Sequence, residues 1–569
     1  MRQIVRKILA ALNPARAFSR LWLAVDNRRR AFRKMDYILL TLPAEMPVLP
    51  EPRGWLQRRV LGAPPFSLLE VERLFRRIGD DPRPKAVILH LRGLNMSLAD
   101  LQTLRGSIQR LRGRGKRVIC YAQLYDNRLY YVASAADEII LQPGGELMTT
   151  GLRAEAVFLK DALDVVGIGL DSVAISPYKG AFDRFTRTEL SPEGREQLEW
   201  LLDSQYDSFV QGIAEGRGLT PEAVRAMIDG APYLDEEALA AGYVDAVLTE
   251  EALRKRLDSP HVLTGDKAQQ TLYRKARPGA DRYVAVLRVG GLMIPGESGS
   301  LPVELPIPFI GGERAGDITV VRQVRALMKN KRAAAVVLLI DSGGGAAISA
   351  EAMTAALAEL AADRPLVACM NGVAASGGYM IAAPAGWIFA QPATITGSIG
   401  VISAKAVTNG LWERLHIHRY EFTRGANAAI FSDFAPYTEA QRERVLQGVR
   451  HNYRQFVAHV AAGRGLTPEA VDAVGGGRVW TGAQALERGL VDELGDIHAA
   501  IAKARALANL PDDAPVCLVR GKTEPLPPQI AASPAATLDD LLKTFAVIGS
   551  GQPLALLPFE WREEGRRAV

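Results

Sequence analysis

Cysteine is scarce in this sequence: Cys120, Cys369 and Cys517 are the only three in 569 residues. They lie far apart and form no Cys-x-x-Cys pair, which excludes a disulfide framework and a thiolate zinc site. Cys120 and Cys369 sit in apolar, strand-like runs, where buried free thiols are expected. Histidine is also sparse, at seven residues, and none has a motif around it. His90 lies in a strand-like run and reads as structural. His416 and His418 flank Ile417, and strand alternation would place both on one face. No third ligand is near them, so no metal is expected, and nothing calls for a cofactor. Long apolar runs are missing too. None reaches the roughly 18 residues that a membrane span needs. No small-residue cleavage site follows a long apolar core, so a secretory signal peptide is not supported.

What is present is an ordinary globular balance, 48% hydrophobic and 23% charged, in a chain too long for one core. The net charge of +6 is uneven. Residues 1–35 hold Arg2, Arg6, Lys7, Arg16, Arg20, Arg28, Arg29, Arg30, Arg33 and Lys34, with Asp26 before Asp36 as the sole acid. Ile4, Val5, Ile8, Leu9 and Leu12 recur at helical spacing up to Pro14, and Phe18, Leu21, Trp22, Leu23 and Val25 follow. A basic amphipathic helix of this kind suits an anionic membrane surface. A solvated tail and a protein-docking helix fit the same residues. Few aromatics interleave the charges and no nucleic-acid module is recognisable, so nucleic acid is not an expected partner.

From residue 36 strands and helices alternate, which implies crossover units and parallel sheets. Ala86 to Leu91, Arg117 to Ala122 and Glu138 to Leu141 read as strands, and Leu98 to Leu111 as a helix. The order then repeats. Gly216-Arg217-Gly218-Leu219-Thr220-Pro221-Glu222-Ala223-Val224 recurs unchanged 247 positions on as Gly463 to Val471. Gly242 matches Gly489 at the same offset, and Gln142-Pro143 matches Gln391-Pro392 at 249. The chain therefore reads as two copies of one α/β unit. The expected division is an N-terminal segment 1–35, a first repeat 36–253, a polar linker 254–282, a second repeat 283–510 and a Pro-rich tail 511–569. The tail carries one helical pattern, Leu538 to Val547. The Gly/Pro-rich loop Ser298 to Gly312 reads equally as a groove wall, a membrane contact or a plain surface loop.

The chemistry centres on Asn371-Gly372-Val373-Ala374-Ala375-Ser376-Gly377-Gly378-Tyr379. An apolar strand precedes it and a small-residue helix follows, so Ser376 falls at a strand-to-helix turn. A serine there can attack a carbonyl while unpaired N–H groups of the helix start hold the oxyanion. The same residues suit a tight packing turn. The first copy has Asn127 where the second has Ser376, although Tyr130 and Ala133 match Tyr379 and Ala382. No histidine is placed to serve as base. Lysine serves when burial removes its proton. The best candidate is Lys179, among small and apolar residues in Ser176-Pro177-Tyr178-Lys179-Gly180-Ala181-Phe182. Its counterpart in the second copy is Ala426. A solvated loop lysine is the plainer reading of that segment taken alone.

These residues resemble the signal peptide peptidase A (protease IV) family in its long duplicated form. The resemblance covers about residues 36 to 510. It rests on Ala374 to Tyr379, Thr396-Gly397-Ser398-Ile399-Gly400, Tyr178-Lys179-Gly180-Ala181 with Phe185-Thr186-Arg187, and the duplication. It implies tandem crotonase/Clp-protease-like repeats and a Ser/Lys dyad split between the halves. Carried over, Ser376 is the nucleophile, Lys179 the base and Ser398 the group orienting the lysine amine. Backbone N–H groups of Gly377 and of the turn at Gly343 and Gly344 would form the oxyanion hole. Asp341 and Gly343 depart from the family's usual Asn-Ser-Pro-Gly-Gly, which should loosen that turn and place an acid near it. The resemblance further implies short apolar peptides such as cleaved signal peptides as substrates, a homo-oligomer (a tetramer), and a bacterial inner membrane location. Family members carry a spanning helix that this chain lacks, so peripheral attachment is expected, on either side of the membrane. Two rivals stand beside this reading, a crotonase-like acyl-thioester enzyme and an inactive membrane-associated scaffold.

Overall fold

The computed structural model describes residues 14–51, 53–55, 58–59, 62–275, 281–300, 312–520 and 550–557. The first repeat forms a six-stranded parallel sheet from Tyr37–Thr41, Ala86–Leu91, Arg117–Ala122, Glu138–Leu141 and Ala246–Val247, with Val262–Thr264 at one edge. The second repeat follows the same plan with Tyr283–Gly290, Ala333–Ser342, Leu366–Ala375, Trp387–Ala390 and Glu493–Leu494. Val516–Leu518 is the matching edge. Ala333–Ser342 shows why the central strands read as unbroken apolar runs. Val337 and Leu339 face a core shared with Val87 and Leu89 of the first sheet. Val336, Leu338 and Ile340 face the opposite side, with Met353 and Leu357 of helix Ala347–Asp363. A parallel strand covered on both faces has no polar side to display.

The duplication is as clear in space as in sequence. Helices Pro192–Arg217 and Glu439–Arg464 are both 26 residues long. Each ends on a left-handed glycine, Gly218 at φ 66° and Gly465 at φ 64°. Arg217 pairs with Asp245 as Arg464 pairs with Asp492. Tyr130 and Tyr379 each donate to a backbone carbonyl at 2.8 Å, that of Tyr243 and that of Leu490.

The repeats are interlocked. A seven-stranded sheet joins Gly169–Ala174 of the first repeat, antiparallel, to Ile402–Val407 of the second. Trp200, on the first repeat's long helix, donates to the Val479 carbonyl at 2.8 Å, and Gln197 accepts from the Val479 N–H at 2.8 Å. In return, Arg442 on the second long helix pairs with Asp171.

Three sequence expectations need correction. Residues 254–282 are not simply a linker. Val262–Thr264 extends the first sheet beside Tyr37–Thr41, because its apolar residues have a sheet edge to cover. Likewise the tail is not all outside the fold, since Val516–Leu518 and Ser550–Leu556 are strands. Finally, His416 and His418 lie in no strand, and both are exposed. At the amino terminus, helix Pro14–Ala31 starts where the sequence breaks. Its end is docked: the Asn27 side chain exchanges hydrogen bonds of 2.9 Å with the Arg274 backbone, and Arg30 is buried. Leu21, Trp22 and Val25 are exposed. Among the described residues no helix is long and apolar enough to cross a membrane. The amphipathic pattern at 4–12, the helical pattern at 538–547 and most of the loop 298–312 lie outside the described residues.

Candidate active site

Ser376 closes the strand Leu366–Ala375 and caps the helix Gly377–Ala382. Its backbone is in an unusual conformation for a non-glycine residue, φ 55° and ψ −117°. Such strain persists only where the surroundings enforce it. Here the Ser376 N–H donates to the Gly397 carbonyl at 2.8 Å. The two glycines that follow let the helix approach the neighbouring strand. A Cβ on Gly378 would lie 2.4 Å from the Ser342 carbonyl oxygen.

Lys179 arrives from the other repeat. The strand Gly169–Ala174 ends beside the second repeat, and the following turn carries the lysine inward. Ser176 donates its hydroxyl to the Gly476 carbonyl, which pins the turn. Gly477, at φ 93°, packs directly on Lys179: a Cβ there would lie 2.8 Å from the lysine N and Cα. Tyr178 stacks on Trp200, and Trp200 stacks on Trp480 of the second repeat with ring centroids 4.9 Å apart. Sequence reading missed this clamp. The glycine run Gly475-Gly476-Gly477 was its visible signal.

The outcome is a compact, dry cluster. Lys179 Nζ is 2.8 Å from Ser376 Oγ, 2.7 Å from Ser398 Oγ and 2.9 Å from the Ser398 carbonyl oxygen. All three residues are 0% exposed. Burial holds the lysine pKa well below its ordinary value, and no neighbouring charge contributes to the shift. Ser398 is itself held at φ 50°, and its N–H donates to the Arg478 carbonyl at 2.6 Å.

The glycine turn lies beside the serine. A Cβ on Gly377 would come within 3.2 Å of Gly344 Cα. The Gly344 N–H donates to Ser342 Oγ at 3.1 Å, whereas the Gly343 carbonyl accepts from the Leu557 N–H at 2.8 Å. The Asp341 carboxylate accepts from the Val373 N–H at 3.2 Å, on the strand that leads to the serine. Gly343 is not forced by crowding, because a Cβ there would make only an ordinary 3.5 Å contact with Leu557.

Among its described residues the first repeat has no such cluster around Asn127. Asn127 occupies the place of Ser376, and its side-chain amide donates to the Gly151 carbonyl at 2.6 Å. Ala426, the counterpart of Lys179, is exposed. Among the described residues no three potential ligands gather around a metal position.

Comparison with known proteins gives the family. Peptidase family S49 matches twice, at residues 110–263, which include Lys179, and at 358–511, which include Ser376 and Ser398. Protease 4 of Salmonella typhi is 30% identical over 80% of this chain and 75% of its own length. The chloroplastic serine protease SPPA of Arabidopsis thaliana is 29% identical over 86% of this chain and 72% of its own. Protease 4 of Haemophilus influenzae is 29% identical over 79% of this chain and 74% of its own. The chain belongs to peptidase family S49, as a protease of the duplicated signal peptide peptidase A (protease 4) type.

Proposed function

We propose that this protease is a serine endopeptidase in which Lys179 of the first repeat activates Ser376 of the second. The observation that carries the reading is the 2.8 Å approach of Lys179 Nζ to Ser376 Oγ in a site with no exposed surface and no balancing carboxylate. A neutral amine has two N–H donors and one lone pair. The Ser398 carbonyl can only accept, so it takes one N–H, and Ser398 Oγ takes the second. The lone pair is left facing the Ser376 hydroxyl. That is the geometry of a general base.

Attack of Ser376 Oγ on a peptide carbonyl transfers the hydroxyl proton to Lys179. The ammonium then gives it to the leaving amine as the carbon–nitrogen bond breaks. Water, deprotonated by the same lysine, releases the acyl group. The oxyanion is assigned to the N–H groups of Gly377 and Gly343, because that of Gly344 is engaged by Ser342. Substrates are short, extended, apolar peptides such as cleaved signal peptides. A homo-oligomer and peripheral attachment to an anionic membrane through the exposed Leu21, Trp22 and Val25 complete the proposal.

The test is cleavage of a leucine-rich fluorogenic peptide by wild type, Ser376→Ala and Lys179→Ala, together with labelling by a fluorophosphonate. Both variants are expected to lose cleavage, and Ser376→Ala to lose labelling. An unimpaired Lys179→Ala would refute the base assignment. An inert, unlabelled wild type would favour the scaffold, and competition by acyl-thioesters in place of peptides would favour the thioester enzyme.

A further inference from the structure

The glycine run that presses on Lys179 has no side chains of its own to hold it in place. Gly476 and Gly477 sit at φ 64° and 93°, conformations that glycine enters and leaves freely. The run is therefore held from outside. The Gly476 N–H donates to the Tyr453 hydroxyl at 3.0 Å, and the Gly477 N–H to the Ile399 carbonyl at 2.8 Å. The Gly475 carbonyl is held twice by one residue, Arg478, whose backbone N–H donates at 3.2 Å and whose guanidinium donates at 3.1 Å.

Arg478 also touches both turns that build the dyad. Its backbone carbonyl accepts from the Ser398 N–H at 2.6 Å. Its guanidinium carbon lies 4.3 Å from the centre of the Tyr178 ring, and Tyr178 is the residue before Lys179. A planar guanidinium is attracted to an aromatic face and stacks on it. Among the described residues no carboxylate pairs with Arg478, so the ring and the glycine carbonyl are what its side chain serves. Its charge does not tune the lysine, whose pKa is lowered by burial alone. The repeat without the dyad lacks the arrangement. At the 247-residue offset, Gly475, Gly476 and Arg478 correspond to Ile228, Asp229 and Ala231.

We propose that Arg478 is a positioning residue that clamps the Lys179 turn of the first repeat to the Ser398 turn of the second, fixing the amine against its acceptor. The backbone carbonyl sets Ser398, and the guanidinium sets both Tyr178 and the glycine run that covers the lysine. The proposal rests on the protease reading of Ser376 and Lys179.

The test is steady-state cleavage of a leucine-rich fluorogenic peptide across pH, with thermal melting confirming the fold. A misplacement of about 1 Å costs about 100-fold in rate. Arg478→Ala keeps the backbone bond to Ser398, so kcat is expected to fall by less, about 30-fold, with KM unchanged. Water admitted beside Tyr178 favours the ammonium, so the acid limb of kcat/KM is expected to move up by about one pH unit. Arg478→Met, which keeps the aliphatic stem, repeats the measurement if Arg478→Ala melts early. Arg478→Lys retains a cation and a donor and is expected to stay within about threefold of wild type. Glu196→Gln changes only the exposed acceptor that the Tyr178 hydroxyl reaches at 2.6 Å, and is expected to leave kcat unchanged. Adding Arg478→Ala to Tyr178→Ala is expected to lower kcat less than about threefold further, because the contact is already gone. An acid limb that stays in place, a lysine variant no better than alanine, or a full further 30-fold loss in the double variant overturns the proposal. So does a Glu196→Gln loss equal to that of Arg478→Ala. An inert wild type would instead remove the protease reading, and urea unfolding then decides. The pH at which the stability of Lys179→Met and its parent begins to converge is expected to rise by the same unit when Arg478→Ala is present in both. No movement there would remove Arg478 from the role.

Discussion

Replacing Lys179 by methionine is expected to abolish cleavage and to change stability in a pH-dependent way. Lys179 is fully buried and its pKa is lowered by burial alone. In the unfolded chain it titrates near pH 10.4. The folded protein therefore releases this proton at lower pH than the unfolded chain does. Between the two pKa values unfolding takes up one proton, so wild-type stability rises with pH at about 1.4 kcal/mol per unit. Above about pH 10.4 the slope disappears, as it does below the folded-state pKa. Methionine has similar bulk and no proton. Its advantage over lysine is largest at low pH and shrinks as pH rises. With Lys179 neutral at pH 7, as its role requires, the difference between the two chains falls by about 2.7 kcal/mol from pH 7 to pH 9. Methionine also leaves Ser376 and Ser398 short of a hydrogen-bond partner, which costs about 1–3 kcal/mol. That offset does not depend on pH, so the slope separates the two effects. Urea unfolding of both chains at pH 7, 8 and 9 measures it, because every other titrating group cancels in the difference. A difference constant across that range would show that Lys179 titrates alike in both states. It would then be protonated at pH 7 and unable to act as base.

Ser398→Ala removes an acceptor 2.7 Å from the lysine nitrogen. Such acceptors favour the ammonium form, so the acid limb of the kcat/KM profile is expected to move to lower pH, with kcat down about tenfold from lost orientation. A limb that stays in place would remove Ser398 from that role. Gly477→Ala puts a methyl 2.8 Å from the Lys179 backbone at a φ of 93°. Displacing the lysine by about 1 Å is expected to lower kcat/KM about 100-fold, read beside an unchanged circular dichroism spectrum. Trp200→Ala removes both stacked contacts and the hydrogen bond to Val479. It is expected to cost about 3 kcal/mol in a denaturation series and to lower kcat as well, because Tyr178 and Lys179 lose their support.

Much of this was legible in the sequence. Ser376 announces itself by its strand, its small neighbours and its glycines. Lys179 has no such local signature. It emerges from the duplication, because one copy retains a lysine where the other has Ala426, and one retains a serine where the other has Asn127. What escaped the sequence is what depends on non-local pairing. Val262–Thr264 is too short and too polar in its surroundings to read as a strand, and only the edge left by Tyr37–Thr41 makes it one. Pro553 to Leu557 looks like the end of a Pro-rich tail until Gly344–Ala346 and Ile402–Lys405 are known to lie apart by one strand's width. His416 and His418 erred the other way. Their alternation with Ile417 fits a strand, but among the described residues they pair with none and they stay exposed.

The division of labour between the repeats has a physical rationale. A neutral lysine requires a site without water, and a dry site is hardest to build around a residue on a surface turn of its own domain. Placing the lysine on an excursion from the first repeat lets the second close over it. The Gly475 to Gly477 run comes down on the lysine backbone, Ser398 covers its amine, and the Tyr178–Trp200–Trp480 stack seals one flank. All of these contacts but the Tyr178–Trp200 stack cross between repeats. Loss of the interlock would therefore admit water and restore the lysine's proton before it unfolded either sheet. The first repeat shows the complementary condition. Asn127, tied to Gly151, spends its side chain on holding a turn, and the counterpart of the lysine is the exposed Ala426. The duplicated fold supplies two potential serine turns and two potential lysine excursions, but among the described residues a single dry contact joins them.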